Sequence, residues 1–375
     1  MCFCGSSELY NLIQDKLYVI GNRSIILFLS RMSFDPAEHP HVRYNPLRGE
    51  WVLVSPHRGK RPWAGQVEDI QADAIPIYDP KNPLCPRNTR ANGEINPDYQ
   101  HTFVFTNDFP ALMPDTPSPM ESDDPLFQIK GAKGTCKVMC YHPHSDRHYA
   151  NMELTDIFLV IQEWIKQYNI IGKNFLWVQI MENRGDVMGC SNPHPHCQIW
   201  ASDYFPNEPR IKHDKLKEYY EKHKEPMLRD YLKKEMAKQE RIVYENKEWV
   251  VLVPFWAFWP FETMVLPKRQ IQRMSDLDNT QIKYLGRMFK EFTAKYDNLF
   301  DCSFPYSMGF HGAPTGEQFE IDMPFWTFHA VYYPPLLRSA SVKKFKAAYE
   351  LLAQDQRDIS PELAAKRLRE QATIR

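Results

Sequence analysis

His194, His196 and Gln198 stand at alternate positions within Gly189-Cys190-Ser191-Asn192-Pro193-His194-Pro195-His196-Cys197-Gln198-Ile199-Trp200. Successive side chains of an extended chain point to opposite faces, so these three polar groups share one face while Cys197 and Ile199 take the other. Imidazole, with an ordinary pKa of about 6.5, is largely neutral at physiological pH and can attack phosphorus directly. A serine hydroxyl would need a separate base. A covalent phosphoryl-histidine divides one displacement between two anions into two steps, each with a positioned nucleophile. The Gln198 amide could donate to a phosphoryl oxygen, stabilising charge without supplying a proton for hydrolysis.

To do this the stretch must be a loop entering a strand. Gly189, Ser191, Asn192 and Pro193 are turn formers, and Ile199 and Trp200 are strand formers. The chain also contains a control: His39-Pro40-His41 repeats the tripeptide among Glu38, Val42 and Arg43, with no glycine-serine-asparagine approach and no clear strand behind it. The tripeptide by itself is therefore weak evidence. The approach loop, the strand and Gln198 carry the reading.

Around this stretch, strands are expected at 51–54, 102–105, 137–141, 175–181, 249–253, 263–266 and 325–333, from their β-branched and aromatic runs. Leu154, Ile157, Phe158, Ile161, Trp164, Ile165 and Tyr168 repeat at helical spacing, which predicts an amphipathic helix over 154–169. Further helices are expected over 212–238, a Lys/Glu-rich solvated stretch, and over 278–296 and 342–353. The second half echoes the first: strand, glycine-bearing turn, histidine-bearing strand and helix. We therefore expect an α+β fold of two duplicated modules, residues 33–205 and 206–375, mainly antiparallel sheet flanked by helices. The loop Ser55-Pro56-His57-Arg58-Gly59-Lys60-Arg61-Pro62 concentrates positive charge. It is either a solvated basic turn or a phosphate clamp built on the guanidinium forks of Arg58 and Arg61.

Composition excludes several classes. Lys plus Arg number 46 against 47 Asp plus Glu, a net charge of -1, so nothing global attracts nucleic acid or an anionic membrane. Eight cysteines are scattered without a CxxC pair, as in a reducing cytoplasm. The apolar patches before Met32 are too short and too broken for a span, which needs about 20 apolar residues. Residues 1–32 are expected to be an extension outside the fold, or else an organelle-targeting segment.

GCSNPHPHCQIW is similar to the active-site signature of the galactose-1-phosphate uridylyltransferase family, a branch of the histidine triad superfamily. The likeness continues through RYNPLRGEWVLVSPHRGKRPW, FTNDFPALMPD, CSFPYSMGFHGAP and YYPPLLRSASVKKF, covering nearly everything from about residue 35 onward. The resemblance implies a ping-pong reaction on a homodimer. His196 would attack the α-phosphorus of UDP-glucose, release glucose 1-phosphate and hold UMP until galactose 1-phosphate takes it. Gln198 matches the family's phosphoryl-contacting glutamine, where hydrolase branches usually carry a third histidine. Ala91, Asn107, Asp108, Asn183, Gly189, Cys190 and Ser191 match nucleotide and phosphate contacts, and Arg58 and Arg61 match the basic loop. Lys344, Phe345, Tyr349 and Glu350 fall where the family holds the sugar, across the dimer interface. Ala348 stands where the family commonly has glycine.

The departures from the family concern zinc or iron. One family site takes two cysteines three apart and two histidines; Asn82 and Ser145 stand at two of those positions, leaving Cys85 and His194. The other takes a glutamate and three histidines; Lys212 and Val331 replace two, leaving His311 and His329. Structural zinc takes about four protein ligands, and no metal is required for the histidine chemistry. Two rivals remain: a nucleotidyltransferase or phosphorylase using an adenine nucleotide, and a non-catalytic sugar-nucleotide binding protein.

Overall fold

A computed structural model describes residues 33–60, 75–120 and 122–375. Residues 1–32 and Arg61 lie outside the described residues. The strands are β1 (His41–Asn45), β2 (Glu50–Val54), β3 (Phe103–Thr106), β4 (Gly134–Cys140), β5 (Trp177–Arg184), β6 (His196–Ser202), β7 (Ile242–Glu245), β8 (Trp249–Leu252), β9 (Thr263–Pro267), β10 (Tyr306–His311), β11 (His329–Tyr333) and β12 (Gln356–Arg357). The helices are α1 (Leu154–Gly172), α2 (Asn207–His223), α3 (Met227–Lys238), α4 (Asn279–Leu299), α5 (Tyr349–Leu352) and α6 (Pro361–Arg369).

Nine strands form one sheet in the order β3-β4-β6-β5-β10-β11-β9-β8-β7, and each pairing in it is antiparallel. The order is mirrored about the β5–β10 seam: β4-β6-β5 on one side answers β9-β11-β10 on the other. In chain order α1 joins β4 to β5, and α4 joins β9 to β10. This is the duplicated, mainly antiparallel α+β architecture expected from the sequence. A second sheet, β1-β2-β12, pairs β12 in parallel with β2 through Gln356↔Leu53 and Arg357↔Val54.

The apolar stripe of α1 (Ile157, Val160, Ile161, Trp164) is fully buried in one core with Phe289 and Phe292 of α4 and with Ile180 and Ile199 of the sheet. Each buried aliphatic side chain is worth about 1.5–3 kcal/mol. α1 has no side-chain cap at Glu153, whereas Asp278 caps α4 through Gln281 N in a capping box. A cap is worth about 1 kcal/mol, so the buried stripe, not the terminus, holds α1 in place.

Four expected elements differ. The Lys/Glu-rich stretch is two helices, because Lys224 adopts a left-handed cap (φ 58°) and Pro226 follows it. β11 begins at His329, since the residues after Pro324 make a turn closed by Trp326 N and Met323 O at 2.9 Å. Of the helix expected over 342–353 only the single turn α5 forms, the segment before it being drawn out by a bridge between Leu336 and Lys343. And His41 does open a strand, β1, in which Arg43 is buried and Val42 and Tyr44 are exposed, the reverse of the alternation that marks a strand in the sequence.

Candidate active site

β6 lies between β4 and β5. Cys197, Ile199 and Ala201 are buried against α1, where Trp164 Nε1 donates to Cys197 Sγ at 3.3 Å. Alternation therefore places His196, Gln198 and Trp200 on the opposite face. His196 Nδ1 lies 2.7 Å from the His194 carbonyl oxygen. That oxygen can only accept, so the proton sits on Nδ1 and the lone pair on Nε2, the atom free to attack. Burial holds the His196 pKa below its ordinary value, against a smaller opposing effect of the carbonyl. The ring is neutral at physiological pH. Gln198 Oε1 accepts Trp200 Nε1–H at 2.8 Å. An indole can only donate, so the amide is oriented with its NH₂ as the donor end, although Gln198 does not itself line the His196 cavity.

His196 lines a cavity of about 160 Å³ together with Glu182, Asn183, Cys190 and Asn192. Sites that enclose a whole ligand are about 300–1,000 Å³, so this space suits a phosphoryl group and not an entire sugar nucleotide. Its lip is the loop after β5. Gly185 and Gly189 hold φ of 86° and 77°, and a Cβ on Gly185 would lie 2.9 Å from Pro305 Cβ. Side-chain-bearing residues would be strained at both points. Asn183 Oδ1 accepts Ser307 Oγ–H at 2.6 Å, which turns its NH₂ the other way. Cys190 donates to Asn192 O at 3.2 Å, and burial raises its pKa, so it is a thiol; Ser191 is exposed on the same loop.

The sequence reading missed the wall beneath. Glu182, buried, accepts the hydroxyls of Tyr141 (2.8 Å), Tyr149 (2.9 Å) and Tyr306 (2.9 Å), while burial raises its pKa against those donors. Arg184 forks onto Asp297 at 2.8 and 3.0 Å. Only the position of Glu182 beside Asn183 could have hinted at this, because its partners come from the loop after β4 and from β10, far away in the chain.

The remaining predicted contacts fall into two groups. Asp108 accepts Arg90 Nη1 at 2.8 Å, and Arg90 also pairs with Glu94, so this buried guanidinium fixes the exposed turn at Ala91. Asn107 Oδ1 caps Phe109 N at 2.9 Å. Arg58 pairs with Asp358 at 3.0 Å, and Lys344 Nζ donates to Glu350 (2.5 Å) and to Gln356 O (2.7 Å). Phe345 and Tyr349 project into solvent, 67% and 51% exposed. Arg58, Lys344, Phe345, Tyr349 and Glu350 thus gather beside the β2–β12 edge, and none of them lines the His196 cavity.

The metal candidates are brought together in pairs, but Cys85, His194 and His311 have donor atoms already engaged. Tyr99 O–H donates to Leu84 O at 2.5 Å, so toward His194 it accepts, from Nε2 at 2.9 Å. His194 Nδ1 then accepts Ser145 Oγ–H at 2.9 Å, and Cys85 Sγ lies 3.2 Å from Ser145 Oγ. Burial, then the neighbouring His196, lowers the His194 pKa to about 3, and the chain of bonds is complete with every member neutral. Asn82 and Asn192 exchange amide bonds at 2.8 and 2.9 Å, tying this cluster to the histidine loop. At the other candidate, Lys212 Nζ sits 2.8 Å from His311 Nδ1. Neither set of residues fits a metal ion: one has no free lone pair on its imidazole, and the other faces an amine.

The mirrored antiparallel sheet thus carries a neutral histidine of fixed tautomer beside a phosphate-sized cavity, a setting that suits a nucleotidyltransferase. The chain belongs to the galactose-1-phosphate uridylyltransferase family: the N-terminal domain of galactose-1-phosphate uridyl transferase matches residues 32–206 and the C-terminal domain residues 212–374. It is 56% identical to a probable galactose-1-phosphate uridylyltransferase of Drosophila melanogaster over 340 residues, 90% of this chain and 97% of that protein. To the Rattus norvegicus galactose-1-phosphate uridylyltransferase it is 52% identical, over 90% of this chain and 89% of the other. In fold it is similar to a solved uridylyltransferase (TM-score 0.69, 24% identity, 88% of this chain and 97% of that one). It is also similar to an ADP-glucose phosphorylase from Arabidopsis thaliana with bound ADP-glucose (TM-score 0.68, 22% identity, 89% and 99%).

Proposed function

We propose that the protein transfers UMP from UDP-glucose to galactose 1-phosphate, giving UDP-galactose and glucose 1-phosphate, by a ping-pong route through His196. The observation that carries this is the His196 Nδ1 bond to the His194 carbonyl, which leaves the Nε2 lone pair in the cavity wall. Nε2 attacks the α-phosphorus and the bond to the leaving phosphate oxygen breaks, expelling glucose 1-phosphate. A phosphate oxygen of galactose 1-phosphate then attacks the same phosphorus, and the P–N bond breaks to return neutral His196. The Gln198 NH₂ donates to the non-bridging oxygens in both steps, and having no titratable proton it gives water no base.

We read the chain as two modules, 33–205 and 206–375, working as a cytoplasmic homodimer; among the described residues no helix is long and apolar enough to cross a membrane. The mirrored strand order supports the two modules. The dimer is supported by the separation of the predicted contacts into two groups, with Phe345, Tyr349, Leu351 and Leu352 exposed on the group away from His196. In a two-fold dimer the second group, with Arg58 and Lys344, can complete the partner's site with sugar and phosphate contacts.

The test is to incubate the protein with UDP-glucose labelled in the uridylyl phosphate, without acceptor. Acid-labile label on the protein, released by galactose 1-phosphate, is expected. Absence of label on the native protein would remove this reading, and a better yield from ADP-glucose would favour an adenine-nucleotide enzyme.

A further inference from the structure

A larger cavity, about 780 Å³, opens on the sheet face that carries Trp177 and Trp200. Its lining includes Lys212 from α2, His311 from β10 and Val331 from β11. His311 and His329 are directly paired across the two strands, with rings 5.6 Å apart, and Val331 follows His329 on the same face, opposite Gly309. Lys212 is 3% exposed and its Nζ meets His311 Nδ1 at 2.8 Å. His329 Nδ1 is bonded to Thr327 O at 2.8 Å, while its Nε2, fully buried, has no partner among the described residues.

A buried imidazole nitrogen with no partner is uncommon, because the desolvated lone pair is left uncompensated. Here two imidazoles face each other with one nitrogen bound by an amine and the other by nothing. Two nitrogens from adjacent strands, with a third strand position and a helix position pointing into the same space, is a four-donor geometry lacking two donors. The position at 331 carries an aliphatic side chain that cannot ligate. The position at 212 carries an amine that donates where a cation would have to sit. The Lys212 nitrogen is a hydrogen-bond donor to His311 at 2.8 Å and so fills the space an ion would need.

We infer that Lys212 performs the tethering that a divalent metal would perform, holding α2 to β10 through His311, and that residues 212 and 331 alone keep a zinc site latent at His311 and His329. Lys212 takes the coordination space directly. Val331 leaves His329 Nε2 without the companion ligand that would make binding worthwhile. The site can be opened because Val331 borders the cavity, so a larger imidazole there has room, and a carboxylate at 212 would approach His311 from where the amine does now.

The experiment uses the full chain and cobalt(II) and zinc(II) as probes. K212E/V331H should take up one more zinc per chain than the unsubstituted protein, give the visible absorption of four-coordinate cobalt, and gain thermal stability that a chelator removes. V331H alone, which keeps the amine, should do none of these. K212M should lower the melting temperature while leaving metal content unchanged. The inference fails if the unsubstituted protein carries zinc that is lost in His311→Ala, since the metal would then displace Lys212. It fails equally if folded K212E/V331H, judged by its circular dichroism, gains no metal. Should K212E/V331H not fold, equal melting temperatures of K212M and the unsubstituted protein would still overturn the tether.

Discussion

In His39-Pro40-His41 and in His194-Pro195-His196 the second imidazole turns its Nδ1 back to the carbonyl of the first, at 2.9 and 2.7 Å, and the second histidine opens a strand. His329, which opens β11, makes the same closure onto Thr327 O at 2.8 Å with Phe328 between them, so it belongs to a histidine entering a strand and not to the proline tripeptide. The two differ in what happens to Nε2. In His41 it accepts Arg43 Nε at 2.9 Å, and Arg43 is in turn anchored on Glu362 at 2.7 and 3.0 Å. In His196 it is left for the cavity whose lip is set by Gly185 and Gly189. One imidazole is a strut and the other a nucleophile, and only the surroundings of the distal nitrogen distinguish them.

The strongest test of this contrast is paired. His196→Ala should abolish covalent labelling and lower turnover by on the order of 10⁴-fold or more, as loss of a nucleophile does elsewhere. His41→Ala should keep the label and lose only thermal stability. If His41→Ala also lost the label, the division into strut and nucleophile would be wrong. Next in size is Gln198→His, which places a titratable base beside the phosphorus. General base assistance is worth about 10²-fold or more, and hydrolysis of the uridylyl-protein without acceptor should rise accordingly. An unchanged rate of hydrolysis would show that the glutamine does not protect the intermediate.

The contrast also marks where the sequence was legible. Alternation placed His196 and Gln198 on one face and Cys197 and Ile199 on the other, and the helical stripe of α1 was read from period alone, because burial imposes both patterns. Strand β1 was not legible, since its buried position is Arg43 while Val42 and Tyr44 face outward, the reverse of the usual pattern. Nor could period predict the break at Lys224 or the shortening of the helix expected over 342–353, which depend on a left-handed cap and on a distant bridge. The three tyrosines on Glu182 and the amine on His311 are tertiary meetings of residues far apart in the chain. The losses at 82, 145, 212 and 331 were visible as letters. What took over at three of them, an amide pair at 82, a hydroxyl relay at 145 and a lysine at 212, depends on tertiary contacts that no local pattern encodes.

The tautomer also predicts a pH profile. Burial disfavours the imidazolium, so the His196 pKa in the folded protein lies below its ordinary 6.5. The reactive neutral form therefore predominates at pH 7, and reactivity is lost only as pH falls through the lowered value. Below that point the initial rate of labelling by UDP-glucose should drop by about tenfold per pH unit. An acid limb centred at or above 6.5 would mean that the cavity is wetter than its lining implies.

The smallest expected effect concerns Trp200, whose only polar atom orients the Gln198 amide. Trp200→Phe keeps an aromatic ring against the larger cavity and removes that donor. A neutral hydrogen bond is worth about 0.5–1.5 kcal/mol net, so turnover should fall by roughly three- to tenfold. A packing defect would produce a similar loss, and the two are separated by a double-substitution cycle. In a Gln198→Ala background the indole has no amide to orient, and adding Trp200→Phe should then cost nothing further in turnover. Equal losses in both backgrounds would show that the indole acts by filling space, and the assignment of the amide NH₂ to the phosphoryl oxygen would lose its structural basis.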